Sequence, residues 1–153
     1  MENKSSIDKV FHRISVIGIV TSIILIGAIS YLSLISSQKL NAINAFPFED
    51  KGAHMFAYAV LGIFLYFSFV RVSFALHRDG RDILASNWII LPSLFTISLG
   101  ILVGTILEFV QKTVGREFDV LDIVADGLGL LVGCTIGFYI LKAIIKIAMK
   151  RNY

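Results

Sequence analysis

Four long apolar stretches, separated by short polar segments, dominate the pattern along the chain. Two runs of 25 residues, one of 19 and one of 15 contain no Asp, Glu, Lys or Arg. A helix that crosses the hydrocarbon core of a bilayer needs about 20 mostly apolar residues. No segment alternates apolar and polar residues in the way a half-buried strand does. We therefore predict an all-α, polytopic membrane protein, a four-helix transmembrane bundle forming one domain over residues 1–153. The predicted spans are 13–37, 51–71, 84–110 and 120–148.

The first apolar stretch has basic residues before it, as a secretory signal peptide also has. Lys4, Lys9 and Arg13 precede it. The stretch continues to Ile35, which is longer than the apolar region of about 7–15 residues in a signal peptide. We therefore expect an uncleaved transmembrane span.

The composition supports a membrane protein and excludes several other classes. Hydrophobic residues make up 56% of the chain and charged residues 16%, against roughly 45–50% and 25% in ordinary soluble domains. This excludes a disordered chain and a water-soluble globule. The single cysteine, Cys134, excludes an intrachain disulfide framework.

The basic residues predict the orientation of the spans. The net charge is +3, and the lysines and arginines are scattered at segment ends, so nucleic-acid binding is not expected. The N-terminal tail, the loop between spans two and three and the C-terminal end carry ten of them; the other two loops carry four. Cytoplasmic loops carry the excess of Lys and Arg. We therefore expect both termini in the cytoplasm and the acidic loops outside.

Ionisable and polar side chains recur at helical spacing near one end of three spans. The residues are Lys51, His54 and Tyr58 on span two, Glu108 and Gln111 on span three, and Asp119, Asp122 and Asp126 at the start of span four. Residues three or four apart lie on one helix face. Ionisable groups within a span are costly unless they have partners or water. The pattern therefore predicts a shared polar site at the outer end of the bundle.

Glycines at four-residue spacing predict close helix packing. Gly129, Gly133 and Gly137 form one stripe, and Gly100 and Gly104 form another. Such stripes let two helix backbones approach closely. We expect spans three and four to pack along these stripes, which would bring Glu108 near the aspartates. A homodimer through Gly129, Gly133 and Gly137 is the alternative.

Several site residues also have structural interpretations. Asp119 matches an N-cap of the fourth helix. Arg116 suits either a surface ion pair or contact with an anionic ligand. Lys51 suits a surface anchor, and Tyr58 suits packing near the membrane interface. Asp126, the deepest carboxylate, must be hydrogen-bonded, paired with His54, Lys51 or Arg116, or protonated.

The order and spacing of these polar residues and glycines resemble those of the VanZ-like family of small bacterial membrane proteins. The matching motifs are Asp50-Lys51-x-x-His54-x-x-x-Tyr58-x-x-Leu61, Gly104-x-x-x-Glu108-x-x-Gln111, Gly115-Arg116-x-x-Asp119-x-x-Asp122 and Gly129-x-x-x-Gly133. The resemblance covers about residues 50–133. It implies a bacterial cytoplasmic-membrane protein acting at the cell envelope, with lowered teicoplanin susceptibility in some members. The family commonly has Asn where this chain has Asp126.

The candidate chemistry is a membrane site for a lipid-linked or glycan envelope component. His54 and Glu108 are candidates for general acid and base, with Asp122 orienting His54. Lys51 and Arg116 are candidates to contact phosphate or carboxylate groups. The wider substrate-binding set adds Tyr58, Gln111, Asp119 and Asp126.

Three alternatives stay open at this point. The first is a divalent cation, such as Mg²⁺ or Mn²⁺, held by His54, Glu108 and Asp122, with or without Asp126. The second is a non-enzymatic membrane protein whose acidic cluster locks the helix ends. The third is transport or proton relay, for which four spans without an inverted repeat are few.

Overall fold

Four long helices form the part of the chain that the computed structural model describes, residues 2–34, 50–76, 90–113 and 119–150. The helices are α1 (Glu2–Leu34), α2 (Asp50–Leu76), α3 (Ile90–Thr113) and α4 (Val120–Lys150). All four are long and apolar enough to cross a membrane. Within the described ranges there are no strands. The all-helical prediction with four candidate spans is confirmed.

The helix boundaries differ from the predicted spans mainly at the polar ends. α1 begins at Glu2 and continues through the basic segment before the first predicted span. α3 extends to Thr113, so Glu108 and Gln111 both lie within the helix. A span prediction follows hydropathy alone, whereas a helix continues as long as its backbone hydrogen bonds do. Residues 84–89, the predicted start of the third span, lie outside the described residues.

The outward faces of the bundle are covered by large apolar side chains. On α1, Ile17, Ile23 and Ile24 are each more than half exposed, and Phe109 and Leu128 are similarly exposed on α3 and α4. In water such a surface would be unfavourable, but lipid chains solvate it without cost. The exposed apolar surface therefore agrees with a bundle embedded in a bilayer.

Helix α2 lies at the centre of the bundle and contacts the other three helices. Its most extensive contact is with α4. The α1 contact includes Ser15, whose hydroxyl donates a hydrogen bond to the carbonyl of Phe67 and accepts one from the amide of Arg71. This buried polar contact between α1 and α2 was not predicted from the sequence.

The glycine stripe of α4 packs against α2, and the predicted pairing of this stripe with α3 is wrong. A Cβ added at Gly129 would overlap the carbonyl of Met55, and one added at Gly133 would overlap Ala59 and Gly62 of α2. The two backbones are therefore in direct contact. The stripe is thus in contact with α2 of the same chain, and the homodimer through Gly129, Gly133 and Gly137 stays an untested prediction.

The glycines of α3 have a different function, since they make room for side chains of α4. Leu130 fills the space opposite Gly100, and the carboxylate of Asp126 lies opposite Gly104. Leu130 belongs to a buried apolar cluster with Tyr58, Leu61 and Leu65. A second cluster is built around Phe11, Tyr66 and Leu141. The polar site adjoins the first cluster, to which Tyr58 belongs.

Candidate functional site

The imidazole of His54 lies between two aspartates of α4. Its Nδ1 is 3.0 Å from Oδ1 of Asp126, and its Nε2 is 3.8 Å from Oδ2 of Asp122. The His54 side chain is 15% exposed, against 7% and 4% for the side chains of Asp122 and Asp126. An ionised carboxylate only accepts hydrogen bonds. With Asp126 ionised, the bond therefore requires the proton on Nδ1, and Nε2 faces Asp122.

The partners of His54 agree only in part with the predicted arrangement, in which pairing with His54 was one of the possibilities for Asp126. Asp122 was expected to orient the imidazole, but the hydrogen bond is made by Asp126, and Asp122 is beyond hydrogen-bond distance. The spacing of the aspartates could not decide between them, because Asp122 and Asp126 lie on the same face of α4.

Lys51, one turn before His54, lies at the entrance of the site between two carboxylates. Its Nζ donates a hydrogen bond to Oδ2 of Asp119 at 2.7 Å and lies 3.6 Å from Oδ1 of Asp122. The Lys51 side chain is 45% exposed, so this contact lies at the surface of the bundle. The lysine is therefore held by α4 carboxylates and is not directed as an isolated cation toward an anionic ligand.

Asp119 caps α4 and joins it to α2. Its Oδ1 accepts a hydrogen bond from the amide of Leu121 at 2.8 Å, and its carbonyl accepts one from the amide of Asp122 at 3.1 Å. These are the contacts of an N-cap aspartate. Lys51, helped by the Leu121 amide, holds the pKa of the Asp119 carboxyl below its usual value. The geometry therefore agrees with the interpretation of Asp119 as an N-cap.

Glu108 reaches from α3 to the start of α4. Its Oε1 accepts a hydrogen bond from the backbone amide of Asp119 at 2.7 Å, and the residue is 2% exposed. The carboxylate satisfies an amide near the N-terminus of α4, where a negative charge is favourable. Glu108 was predicted to act as a general acid or base. In the structure its carboxylate accepts a hydrogen bond that positions the start of α4.

Two further predicted site residues, Tyr58 on α2 and Gln111 on α3, are buried in the bundle. Tyr58 is 1% exposed, and both its hydroxyl and Oδ2 of Asp126 lie opposite Gly104. Gln111 is 1% exposed, one turn after Glu108. In the described part of the chain its Nε2 has no hydrogen-bond partner. The absence of a side chain at Gly104 thus gives Asp126 the room to turn toward α3.

The structure brings together eight of the nine predicted site residues at one end of the bundle. They are Lys51, His54, Tyr58, Glu108, Gln111, Asp119, Asp122 and Asp126. The ninth, Arg116, lies outside the described residues, so its expected contact with Asp119, Glu117 or an anionic ligand stays a prediction.

The site has an excess of carboxylates over cations. Glu108 and the three aspartates face one lysine and one histidine in the described part of the site. Across the described ranges, no group of three or more His, Cys, Asp or Glu side chains is arranged to hold a metal ion. The divalent-cation alternative therefore gains no support from the geometry. The chemistry that the arrangement offers is proton transfer at His54 and hydrogen bonding by carboxylates.

Comparisons with known proteins establish the family. Neither curated proteins nor solved structures gave a match. The family model described as VanZ/LLP1 matches residues 9–143, which include all four candidate spans except their outermost ends. That match covers most of the chain and agrees with the motifs found on α2, α3 and α4. This chain therefore belongs to the VanZ/LLP1 family.

Proposed function

We propose that the chain acts at the outer face of the bacterial cytoplasmic membrane, with both termini in the cytoplasm. Support comes from the ten-to-four distribution of lysines and arginines between the two sets of loops. In this orientation the polar end of the bundle, at the start of α2 and α4 and the end of α3, faces the cell envelope. Membrane lipids and lipid-linked envelope precursors can approach it from the outer leaflet.

We propose further that this end binds a lipid-linked or glycan envelope component and that His54 is its central residue. The observation that carries the proposal is the position of the imidazole between Asp126 and Asp122, partly exposed where its neighbours are buried. A carboxylate that accepts from Nδ1 fixes the tautomer and the orientation of the ring, so proton exchange with a ligand would take place at Nε2. Asp126 is then a positioning residue for His54. In relatives the same site would account for lowered teicoplanin susceptibility through a change in the envelope.

The experiment that tests this proposal is a comparison of bound lipids. The wild type and His54→Asn are extracted from bacterial membranes in polymer-bounded discs, and their lipids and lipid-linked glycans are quantified by mass spectrometry. The Asn amide keeps a donor near the position of Nδ1 but lacks Nε2. We expect one envelope component to be enriched with the wild type and to return to its bulk-membrane level with His54→Asn. Identical profiles for both proteins would refute the proposal.

A second candidate function is supported by a separate observation. Glu108 and Lys51 both contact Asp119, so one residue at the start of α4 is tied to α3 and α2. This is the arrangement expected of a lock on the helix ends in a non-enzymatic protein that modifies envelope packing or binds a partner. The lock predicts that site substitutions lower stability, whereas the ligand site predicts that they lower retention of an envelope component.

A further inference from the structure

Among the residues that the structure describes, the charge balance of the site favours a cationic ligand group over an anionic one. Lys51 already lies 2.7 Å from Asp119 and 3.6 Å from Asp122, so its positive charge is shared by two carboxylates. Glu108 and Asp126 add two more acidic side chains within the same end of the bundle. A phosphate or carboxylate group that entered here would meet like charges, which is unfavourable in a partly desolvated site.

One buried carboxylate oxygen in the site lacks a hydrogen-bond donor. Oδ1 of Asp122 has no donor among the described residues, although Asp122 is only 5% exposed. Lys51 Nζ approaches it to 3.6 Å, which is an ion pair without a hydrogen bond. That oxygen lies next to Lys51, whose side chain is 45% exposed, so it is on the side of the site nearest the surface of the bundle. Buried polar atoms are nearly always hydrogen-bonded, so this oxygen indicates a donor group that a ligand supplies.

A second buried polar atom without a hydrogen-bond partner among the described residues is a donor. Nε2 of Gln111 has no acceptor in the described structure, and the residue is 1% exposed. It lies on the same buried face of α3 as Glu108, whose carboxylate contacts Asp119. An oxygen acceptor would satisfy this atom.

We propose that this site binds the primary ammonium group of its envelope ligand, with Oδ1 of Asp122 as the acceptor. The inference rests on the proposed function and specifies the chemistry that the ligand carries. An ammonium supplies several N–H donors and one positive charge, which match the missing donor and the excess of carboxylates. Two sources carry this group at a membrane surface: the headgroup of an aminophospholipid and the free amine of an amino sugar.

The test uses pairs of probes that differ only in the ammonium group. The purified full chain in mild detergent is titrated with short-chain phosphatidylethanolamine and its N-acetyl derivative, and with glucosamine and N-acetylglucosamine. We expect one amine probe to bind, and its N-acetylated counterpart to bind about tenfold to a hundredfold more weakly, the usual range for one charged hydrogen bond. Binding of the lipid probe identifies a headgroup, and binding of glucosamine identifies a glycan amine.

Two variants complete the test. Asp122→Asn is expected to remove the preference for the amine, and Asp8→Asn on α1, far from the site, is expected to keep it. The inference is overturned if neither amine binds, if the N-acetylated probe binds equally well, or if Asp122→Asn keeps the preference. Should Asp122→Asn fail to fold, the wild-type comparison of each amine with its N-acetylated partner decides alone. If that comparison is negative while His54-dependent lipid retention persists, the ammonium inference falls and the proposed function stands.

Discussion

Nδ1 of His54 lies 3.0 Å from Oδ1 of Asp126, and this contact joins α2 to α4 inside the bundle. Asp126 fits there because Gly104 of α3 has no side chain to occupy the space of its other oxygen. Three helices therefore contribute to the position of one imidazole. The contact could require Asp126 as a hydrogen-bond acceptor, as a charge or as both.

Substitution of Asp126 separates these two requirements. Asp126→Asn keeps an oxygen that accepts from Nδ1, whereas Asp126→Ala leaves the imidazole N–H without its partner. We expect the Asn variant to unfold close to the wild type and the Ala variant to lose about 1–3 kcal/mol of unfolding free energy, the cost of an unsatisfied buried donor. Thermal and denaturant unfolding in detergent measure this difference. Equal destabilisation by both substitutions would show that the charge of Asp126 is required.

The contact between Glu108 and the Asp119 amide makes a similar prediction on α3. Glu108→Gln retains an oxygen acceptor, so it should preserve the start of α4. Glu108→Ala removes the acceptor and should cost about 1–3 kcal/mol in unfolding free energy. Hydrogen exchange at the first turn of α4 provides a local measurement, with faster exchange expected only in the Ala variant. If Gln accelerates exchange as much as Ala does, the hydrogen bond does not position the helix.

The Lys51–Asp119 pair predicts a dependence of stability on pH. The pKa of Asp119 is lowered in the folded protein by the Lys51 contact, so the folded state favours the ionised carboxyl. The resulting stabilisation is present above the unfolded pKa of about 3.9 and is lost as the pH falls through the lower folded pKa. The effect is small, because both side chains are well exposed.

Asp119→Asn tests this pH dependence, since Asn is an equally good N-cap but carries no charge. The wild type should melt at a higher temperature than Asp119→Asn at pH 7, and the gap should narrow as the pH falls below about 4. Added salt should reduce the gap at pH 7. A Lys51→Gln background should reduce it too. A gap that is as large at pH 3 as at pH 7, or that is unchanged in the Lys51→Gln background, would contradict the ion-pair explanation.

Two glycines of α4 provide a matched test of the contact between α2 and α4. A Cβ at Gly133 would overlap Ala59 and Gly62, whereas one at Gly127 meets no atom within 4 Å. We expect Gly133→Ala to cost about 1–3 kcal/mol through overpacking. Gly127→Ala should be neutral or stabilising by up to about 1 kcal/mol, because Ala has the higher helix propensity. Similar effects at both positions would show that the α4 stripe does not pack against α2.

The proposed orientation has its own measurement. Green fluorescent protein fused to the C-terminus should fluoresce in bacterial cells, because it folds in the cytoplasm, and alkaline phosphatase fused there should stay inactive. The reverse pattern would place the polar end of the bundle in the cytoplasm and would remove the basis for an envelope substrate.

The four helices, and which residues belong to the candidate site, could be predicted from the sequence, because both depend on the spacing of residues along a single helix. Uninterrupted apolar runs marked the spans. Three- and four-residue intervals showed which polar residues share a face, and α3 indeed buries Gly100, Gly104, Glu108 and Gln111 on one face.

The partners of these residues could not be predicted in the same way, because they depend on how each helix is rotated against its neighbours. Gly129 and Gly133 could have faced α3, α2 or a second chain with the same spacing. Asp122 was predicted to orient His54, because spacing alone did not show that Gly104 lies opposite Asp126 and leaves room for its carboxylate. The buried contact of Ser15 with α2 gave no signal, since one serine in an apolar span is ordinary.

The central claim is that His54 forms part of a ligand site and is more than a structural tie between helices. The most direct measurement determines two quantities on one preparation of His54→Asn: the amount of bound envelope component and the melting temperature. The ligand site predicts that bound component falls about tenfold or more, the loss of one charged or acid–base contact, while the melting temperature stays within a few degrees of the wild type. Unchanged retention together with a large drop in melting temperature would contradict the claim and identify the cluster as a structural lock.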